Sequence, residues 1–468
     1  MKRIKNGFYL CLIVYAAATF IIGCASLGTE KKPEKKKAAG KTTEESVPVE
    51  EGTYSGVSYY FSLGNIEKAI EAFKKASAKD PESPETLALY STLQMAAGKL
   101  DDSEKTLKKL LEKDPDNVKG LLNMSLIEGA KGNEERKKEL LKKTVKKDPE
   151  NAQVHASLGE SYLRERKYEA ARREFNESLG KNPDNITALM GLGNLEMRKS
   201  NFEEAAKHLK KVTELKPEYP FGYSDRGRVL AAQGELANAE AHLSKAIELN
   251  PNYFWHYFDR GKVLIHMGKD KEALQDLNKA ISLEPGNFYP YVYRAGVYYR
   301  KSNYEKAKDD YKRVMEYRPD YYHAYEPLAT LHYMDKEWGS AGKYFKKADQ
   351  AREQTYYLPL LAAITYKKQN KQKQAITYLE EQIGNVPKDS IYYHMYRYYM
   401  QPDYDNLILN KVNDIKDKTM KNKMLFYIGV QKWLKGQEQT AQTYLLNVKD
   451  NVPEDLSEYV LAQWELEK

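Results

Sequence analysis

Cysteine is almost missing from the 468 residues: Cys11 and Cys24 are the only two. A chain with two thiols, both near its start, has neither a disulfide framework nor a thiolate metal site in its body. Glycine is sparse at 27, while apolar residues make up 41% and charged residues 30%. That balance suits packed amphipathic helices and excludes a disordered chain. One-sided charge is missing too. Residues 1–23 hold Lys2, Arg3 and Lys5 and no acid, and setting them aside leaves 72 basic against 67 acidic residues. So thin a surplus gives no concentrated basic stripe, and nucleic acid is not an expected partner. The chemistry-bearing motifs are absent as well. His155, His208, His242, His256, His266, His323, His332 and His394 form no HExxH, and neither GxxxxGK[ST] nor GxSxG occurs. Gly191-Leu192-Gly193 imitates a dinucleotide loop without its third glycine and lies inside a helical pattern. No enzyme, metal or cofactor is expected.

Long apolar runs are limited to one. Phe8 to Ile22 follows a basic start and ends at Ile21-Ile22-Gly23-Cys24. It is too short for the roughly 20 residues that span a bilayer and has the layout of an export signal. The segment resembles a bacterial lipoprotein signal. That resemblance implies diacylation of Cys24, which would become the first mature residue, and Ala25-Ser26 behind it points to the outer membrane in the enterobacterial sorting scheme. From Ala25 to Gly52 the chain is rich in Lys, Glu, Thr and Pro without apolar periodicity, which predicts a solvated tether reaching roughly 30 Å.

What fills the rest is a repeat. Pro81, Pro115, Pro149, Pro183, Pro217, Pro251, Pro285 and Pro319 recur every 34 residues, Pro387 follows two periods later, and Glu353 stands at the skipped position. With proline at position 32, Gly159, Gly193, Gly227 and Gly261 fall at position 8. Ala69, Ala171, Ala205, Ala239, Ala273, Ala307, Ala341 and Ala375 fall at position 20, and large residues such as Phe73, Phe175, Leu277 and Phe345 follow four residues later. Small residues let two helices approach, and the large one fills the gap between them. Proline ends the second helix, and the polar residues after it suit the cap of the next.

The pattern resembles the tetratricopeptide repeat family. It implies an all-α superhelical solenoid of about twelve helix-turn-helix repeats. The expected organisation is a signal at 1–23, a lipidated tether at 24–52 and a regular array at 53–389. A degenerate repeat at 390–421 follows, then a last repeat and capping helix at 422–468, whose Leu456, Tyr459, Val460 and Trp464 share one side.

At about 100° per residue, positions 4, 7, 8 and 11 of the first helix form the core stripe. Positions 2, 5, 9 and 12 form a second stripe, which in tetratricopeptide proteins lines the concave groove for peptide segments or partner domains. Here it holds Phe221, Trp255, Tyr289, Tyr299, His323, Tyr333 and Tyr357, with Asn194, Arg228 and Lys262 as a polar ladder at position 9. Aromatics with polar edges supply interface anchors, and they also stack on sugar rings. Asp225 and Asp259 break the carboxylate-clamp pattern of chaperone-binding relatives. The expected function is a membrane-tethered scaffold for protein or peptide partners in the cell envelope; the alternative is a module for cell-wall or exported polysaccharide.

Overall fold

The computed structural model describes residues 54–401, 404–454 and 456–467. The expected signal, Cys24 and the tether lie outside them. Among the described residues 25 α-helices follow one another and no strand occurs. None is long and apolar enough to cross a membrane. The chain divides into two units, 1–233 and 234–468, each built from stacked helix hairpins.

The 34-residue register sets the helix ends. First helices such as Pro84–Ala96, Ile186–Arg198 and Phe254–His266 begin at position 1, and second helices such as Leu100–Lys113 and Asp270–Leu283 begin at position 17. The polar residue two places after the proline caps the next helix in the first unit. Ser83, Asn117, Asn151 and Asn185 accept from the backbone N–H of Thr86, Gly120, Val154 and Ala188 at 3.2, 2.9, 3.3 and 3.0 Å. Between the two helices of a hairpin the backbone turns left-handed at position 15. Gly64, Gly98, Gly132, Gly234 and Gly268 adopt it, and so do Arg166, Ser200, Ser302, Lys336 and Asn370. Glycine alone takes that conformation without steric cost.

Within each hairpin the packing follows the small-large pairing. All eight position-20 alanines have no exposed surface, and Phe175, Leu277 and Phe345 behind them have none either. A Cβ on Gly193 would stand 2.7 Å from Leu209 of its own hairpin, and one on Gly191 would stand 2.2 Å from the Phe175 ring of the preceding hairpin. The glycines of the apparent dinucleotide loop are therefore spaces for neighbouring side chains.

Two internal clamps tighten the second unit. Arg260 donates to both carboxylate oxygens of Asp276 at 2.7 Å and to Ser244 of the preceding helix at 3.0 Å. Arg294 does the same with Asp310, at 2.8 and 2.6 Å, and with Asn278 at 2.6 Å. Planar guanidinium forks suit this two-point grip.

The regular pattern loosens beyond repeat eight. The ninth repeat, which lacks its proline, opens with a 3-10 turn, Tyr322–Ala324, before the helix Tyr325–Met334, and Gln354 takes a φ of +59° in the link that follows its second helix. The degenerate repeat is a short helix pair, Ile391–Met400 and Asp405–Asn413. The next helix, Lys418–Leu434, begins four residues before the expected boundary at 422 because Asp417 accepts from the Met420 N–H at 3.1 Å and caps it there.

The last helix, Ser457–Leu466, does pack on Glu438–Asn451, but it also contacts Lys418–Leu434 and reaches back to Tyr325–Met334 of the ninth repeat. Its buried residues correct the expected side. Ser457, Glu458, Val460, Leu461, Ala462 and Glu465 are inside, whereas Leu456, Tyr459 and Trp464 are only half-buried. Three polar residues go inside because each finds a partner there.

Candidate binding faces

In the first unit the first helices of repeats two to five line an open channel of about 470 Å³, whose wall includes Thr92, Asn123, Leu126, Gln153, Ser157 and Asn185. Five amides line it together with Lys119, Asp184 and Lys216, and amides link one repeat to the next. Asn123 donates to Thr92 at 2.9 Å and to Ser91 at 3.2 Å; Asn185 donates to Gln153 at 3.3 Å, and Gln153 donates to Thr187 at 3.4 Å. A carboxamide both donates and accepts, the combination that matches the alternating groups of an extended peptide backbone.

Farther along the same unit, Asn194 donates to Asp225 at 2.9 Å, while Arg228 pairs with Asp225 and donates to Asn194 at 3.4 Å. The structure thus brings Asn194 and Arg228 together through Asp225, while Lys262, the third residue of the ladder, pairs with Asp259 in the second unit. Phe221 is different. It is 7% exposed and tilts against Tyr219, so it is a packing residue, not a ligand anchor.

In the second unit the stripe is aromatic. Trp255 is half-buried between Phe254, Phe258 and Tyr289, with centroid distances of 4.9, 5.6 and 6.3 Å. Tyr289 is 42% exposed and stacks on Phe288 at 4.2 Å. Lys262 lies 3.8 Å from Asp259 and over the rings of Phe258 and Tyr293 at 5.5 and 5.9 Å. The half-buried Tyr299 meets Tyr304 edge-on at 5.6 Å, and burial drives its phenol pKa upward. His323 is exposed against Tyr321 and Tyr322, with its imidazole pKa lowered by partial burial and then by Arg352.

The remaining two predicted anchors meet the chain itself. Tyr333 has no exposed surface; its hydroxyl donates to Glu465 at 2.5 Å, and its ring meets Trp338 and Trp464 edge-on. Tyr357 donates to Glu326 at 2.9 Å beneath Lys423. The inner surface here is covered by the last helix, which corrects the reading of Tyr333 as ligand-facing.

Two sockets hold that helix. Glu465, with no exposed surface, sits between Tyr333 and Lys368, whose ammonium is 2.7 Å away. Glu458, 1% exposed, accepts from Tyr427 at 3.1 Å and lies 3.6 Å from Lys423. Ser457 donates to Glu326 at 2.9 Å and lies 3.4 Å from Thr330. Burial pushes the Glu458 carboxyl pKa up and the phenols of Tyr333 and Tyr427 well up. The stripe analysis overlooks Lys368, Lys423, Glu458 and Glu465. One signal was available: two glutamates seven residues apart lie on one helix face.

Comparison with known proteins agrees on the repeat. Family models described as tetratricopeptide repeat match residues 60–124, 138–186, 156–220, 257–287 and 294–354, and one described as TPR repeat matches 227–268. No curated protein matches the chain. Among solved structures, YrrB, described as a TPR protein with an unusual peptide-binding site, is 24% identical over 39% of this chain and 95% of its own, with a TM-score of 0.33. PilF of Pseudomonas aeruginosa is 20% identical over 46% of this chain and 96% of its own, with a TM-score of 0.39. The APC/C hetero-tetramer Cut9–Hcn1 is 15% identical over 74% of each chain, with a TM-score of 0.45.

Proposed function

Because the chain belongs to the tetratricopeptide repeat family, we propose that it is a protein-interaction scaffold that captures an extended peptide segment along the inner face of repeats two to five. The observation that carries this reading is the amide-lined channel of about 470 Å³, where Asn123, Gln153 and Asn185 present donors and acceptors along successive repeats. A peptide backbone laid there exchanges its hydrogen bonds with water for bonds to side-chain amides already held in place by their neighbours. Acylation of Cys24 tethers the scaffold to a membrane of the cell envelope, a reading supported by the Ile21-Ile22-Gly23-Cys24 sequence.

The test uses peptides selected from a random library on the immobilised protein. Asn123→Ala and Gln153→Ala should each weaken a selected peptide about fivefold, the equivalent of about 1 kcal/mol for one hydrogen-bonding group, with only a small loss of thermal stability. Peptides that bind both variants as tightly as wild type place the site elsewhere. If the protein is instead retained on cell-wall polysaccharide and Tyr289→Ala abolishes that retention, the carbohydrate reading replaces this one. For the tether, intact mass measurement should find a mature start at Cys24 with added acyl mass, and any other start excludes it.

A further inference from the structure

The last helix is a short segment, yet it buries two carboxylates against the inner face of repeats nine and ten and of the last hairpin. The two sockets share one chemistry, a tyrosine hydroxyl and a lysine ammonium: Tyr333 with Lys368 for Glu465, and Tyr427 with Lys423 for Glu458. Glu458 and Glu465 are seven residues apart, which is about 10.5 Å along a helix and nearly the same angular position. A pair of matched sockets at that spacing reads a helix face, not an isolated charge.

The helix buries Leu461 and Ala462 in the core, and polar contacts flank that packing. Six polar contacts, from Glu326, Thr330, Tyr333, Lys368, Lys423 and Tyr427, meet Ser457, Glu458 and Glu465. Desolvation offsets most of the attraction in a buried ion pair, so such contacts add little net stability while strongly penalising a wrong partner. Contacts that are selective but weak in net terms suit a surface that exchanges one occupant for another.

We propose that this inner face is a helix-receiving site whose ligand is a partner helix carrying two glutamates seven residues apart, and that the chain's own Ser457–Leu466 helix occupies it in cis. In this arrangement the partner competes with the resident helix, and the site opens only to a segment that fills both sockets. It does not depend on the peptide channel of repeats two to five, and failure of either reading leaves the other standing.

The probe is a fluorescein-labelled synthetic peptide spanning 453–468. In the full chain carrying Glu458→Gln and Glu465→Gln, the resident helix is weakened and the sockets are intact, so the labelled peptide should bind at least tenfold more tightly than to wild type. A probe with the same two substitutions should bind neither chain. A second measurement needs no variant: excess unlabelled peptide should speed amide hydrogen exchange across 457–466 of the wild-type chain while leaving 418–451 protected. Unchanged exchange at millimolar peptide overturns the proposal and makes the helix a fixed part of the fold. So does a folded double variant that fails to bind the probe. If the double variant does not fold, the wild-type exchange measurement alone decides.

Discussion

The two units use one hairpin geometry to present inner faces of different chemistry. In repeats one to four the residue two places after the proline is Ser83, Asn117, Asn151 or Asn185 and caps the next helix; from repeat five onward Tyr219, Tyr253 and Tyr321 stand at that place and make no such cap, and Asn287 alone keeps a bond, accepting from the Tyr289 N–H at 3.3 Å. Position 2 changes in parallel, from Lys119, Gln153 and Thr187 to an aromatic series that begins at Phe221, late in the first unit, and continues through Trp255, Tyr289 and His323. The buried positions hardly change, since Ala171 and Ala307 are equally inaccessible and the large residue four places on, Phe175 or Tyr311, is buried in both. Packing therefore fixes positions 8, 20 and 24, and mostly position 5 as well, where Ala88, Ala156, Phe258 and Leu360 are buried, and leaves 2, 9 and 34 to chemistry. The first unit spends that freedom on amides around an open channel, and the second on aromatics and a pair of lysines beneath its own last helix.

The largest expected effect breaks that cover. Glu465→Ala strands the Lys368 ammonium and the Tyr333 hydroxyl in a buried site, which costs about 3–5 kcal/mol when a buried pair loses one member. Gln153→Ala on the open face removes neutral, partly solvated bonds and costs about 0.5–1.5 kcal/mol. Chemical denaturation measures the two losses, and hydrogen exchange should place the first in Tyr325–Met334 and 457–466. Equal losses would mean that the two faces are not different in kind.

A smaller effect appears with pH. Burial raises the Glu458 carboxyl pKa against the pull of Lys423 and the Tyr427 hydrogen bond, and Glu326 on the ninth repeat adds to the rise. The phenols of Tyr357 and Tyr392 face the same carboxyl. A carboxyl whose pKa rises on folding contributes stability that is complete below its ordinary value and is lost as pH climbs through the raised one. The docked helix should therefore loosen from mild acid toward neutral and alkaline pH. Glu458→Gln removes the titrating carboxyl together with its pairing to Lys423, so it should flatten the profile and leave the helix less protected throughout, as followed by exchange protection of 457–466. The amide channel contains no comparable buried carboxyl pair, and Gln153→Ala should leave the pH profile as it is. A profile that stays steep in Glu458→Gln assigns the dependence to another group.

How much of this was legible in the sequence follows from the range of each interaction. Local spacing carries the repeat: the prolines, the position-20 alanines and the glycines beside Phe175 and Leu209 are all set within one hairpin or between neighbouring ones, and they appear as read. The polar ladder at Asn194 and Arg228 was legible for the same reason, because its members stand one period apart. Tyr333 was not, since its partner Glu465 is 132 residues away and periodicity says only which side of a helix a residue occupies. Phe221 misled in a milder way: position 2 lies at the edge between stripes, where a ring can turn onto the preceding turn residue, here Tyr219. The clamps of Arg260 and Arg294 sit in the most regular stretch of the chain, but periodicity assigns position 7 to the core and carries no sign of a pairing across to the next helix.

The smallest expected effect tests what the units share. Position 15 is left-handed in both, at Arg166 with φ of +59° in the first unit and at Lys336 with φ of +59° in the second. A side chain there crowds the following carbonyl, at a cost of roughly 1–2 kcal/mol, and glycine removes the crowding while giving the unfolded chain more freedom to lose. The net gain from Lys336→Gly should be about 0.5–1 kcal/mol. Both side chains are exposed, and the backbone bonds from Lys336 N–H to the Tyr333 carbonyl and from Arg166 N–H to the Leu163 carbonyl remain. Asn370→Gly should gain less, because asparagine tolerates this conformation better than other side chains do, and Gly268→Ala should lose about 1 kcal/mol. Arg166→Gly should match Lys336→Gly, since the turn is the same whatever face the hairpin presents. Denaturation midpoints of the four variants measure the series. A gain in one unit without the other would show that the inner-face chemistry reaches into the turns, and the separation between packing positions and binding positions would have to be redrawn.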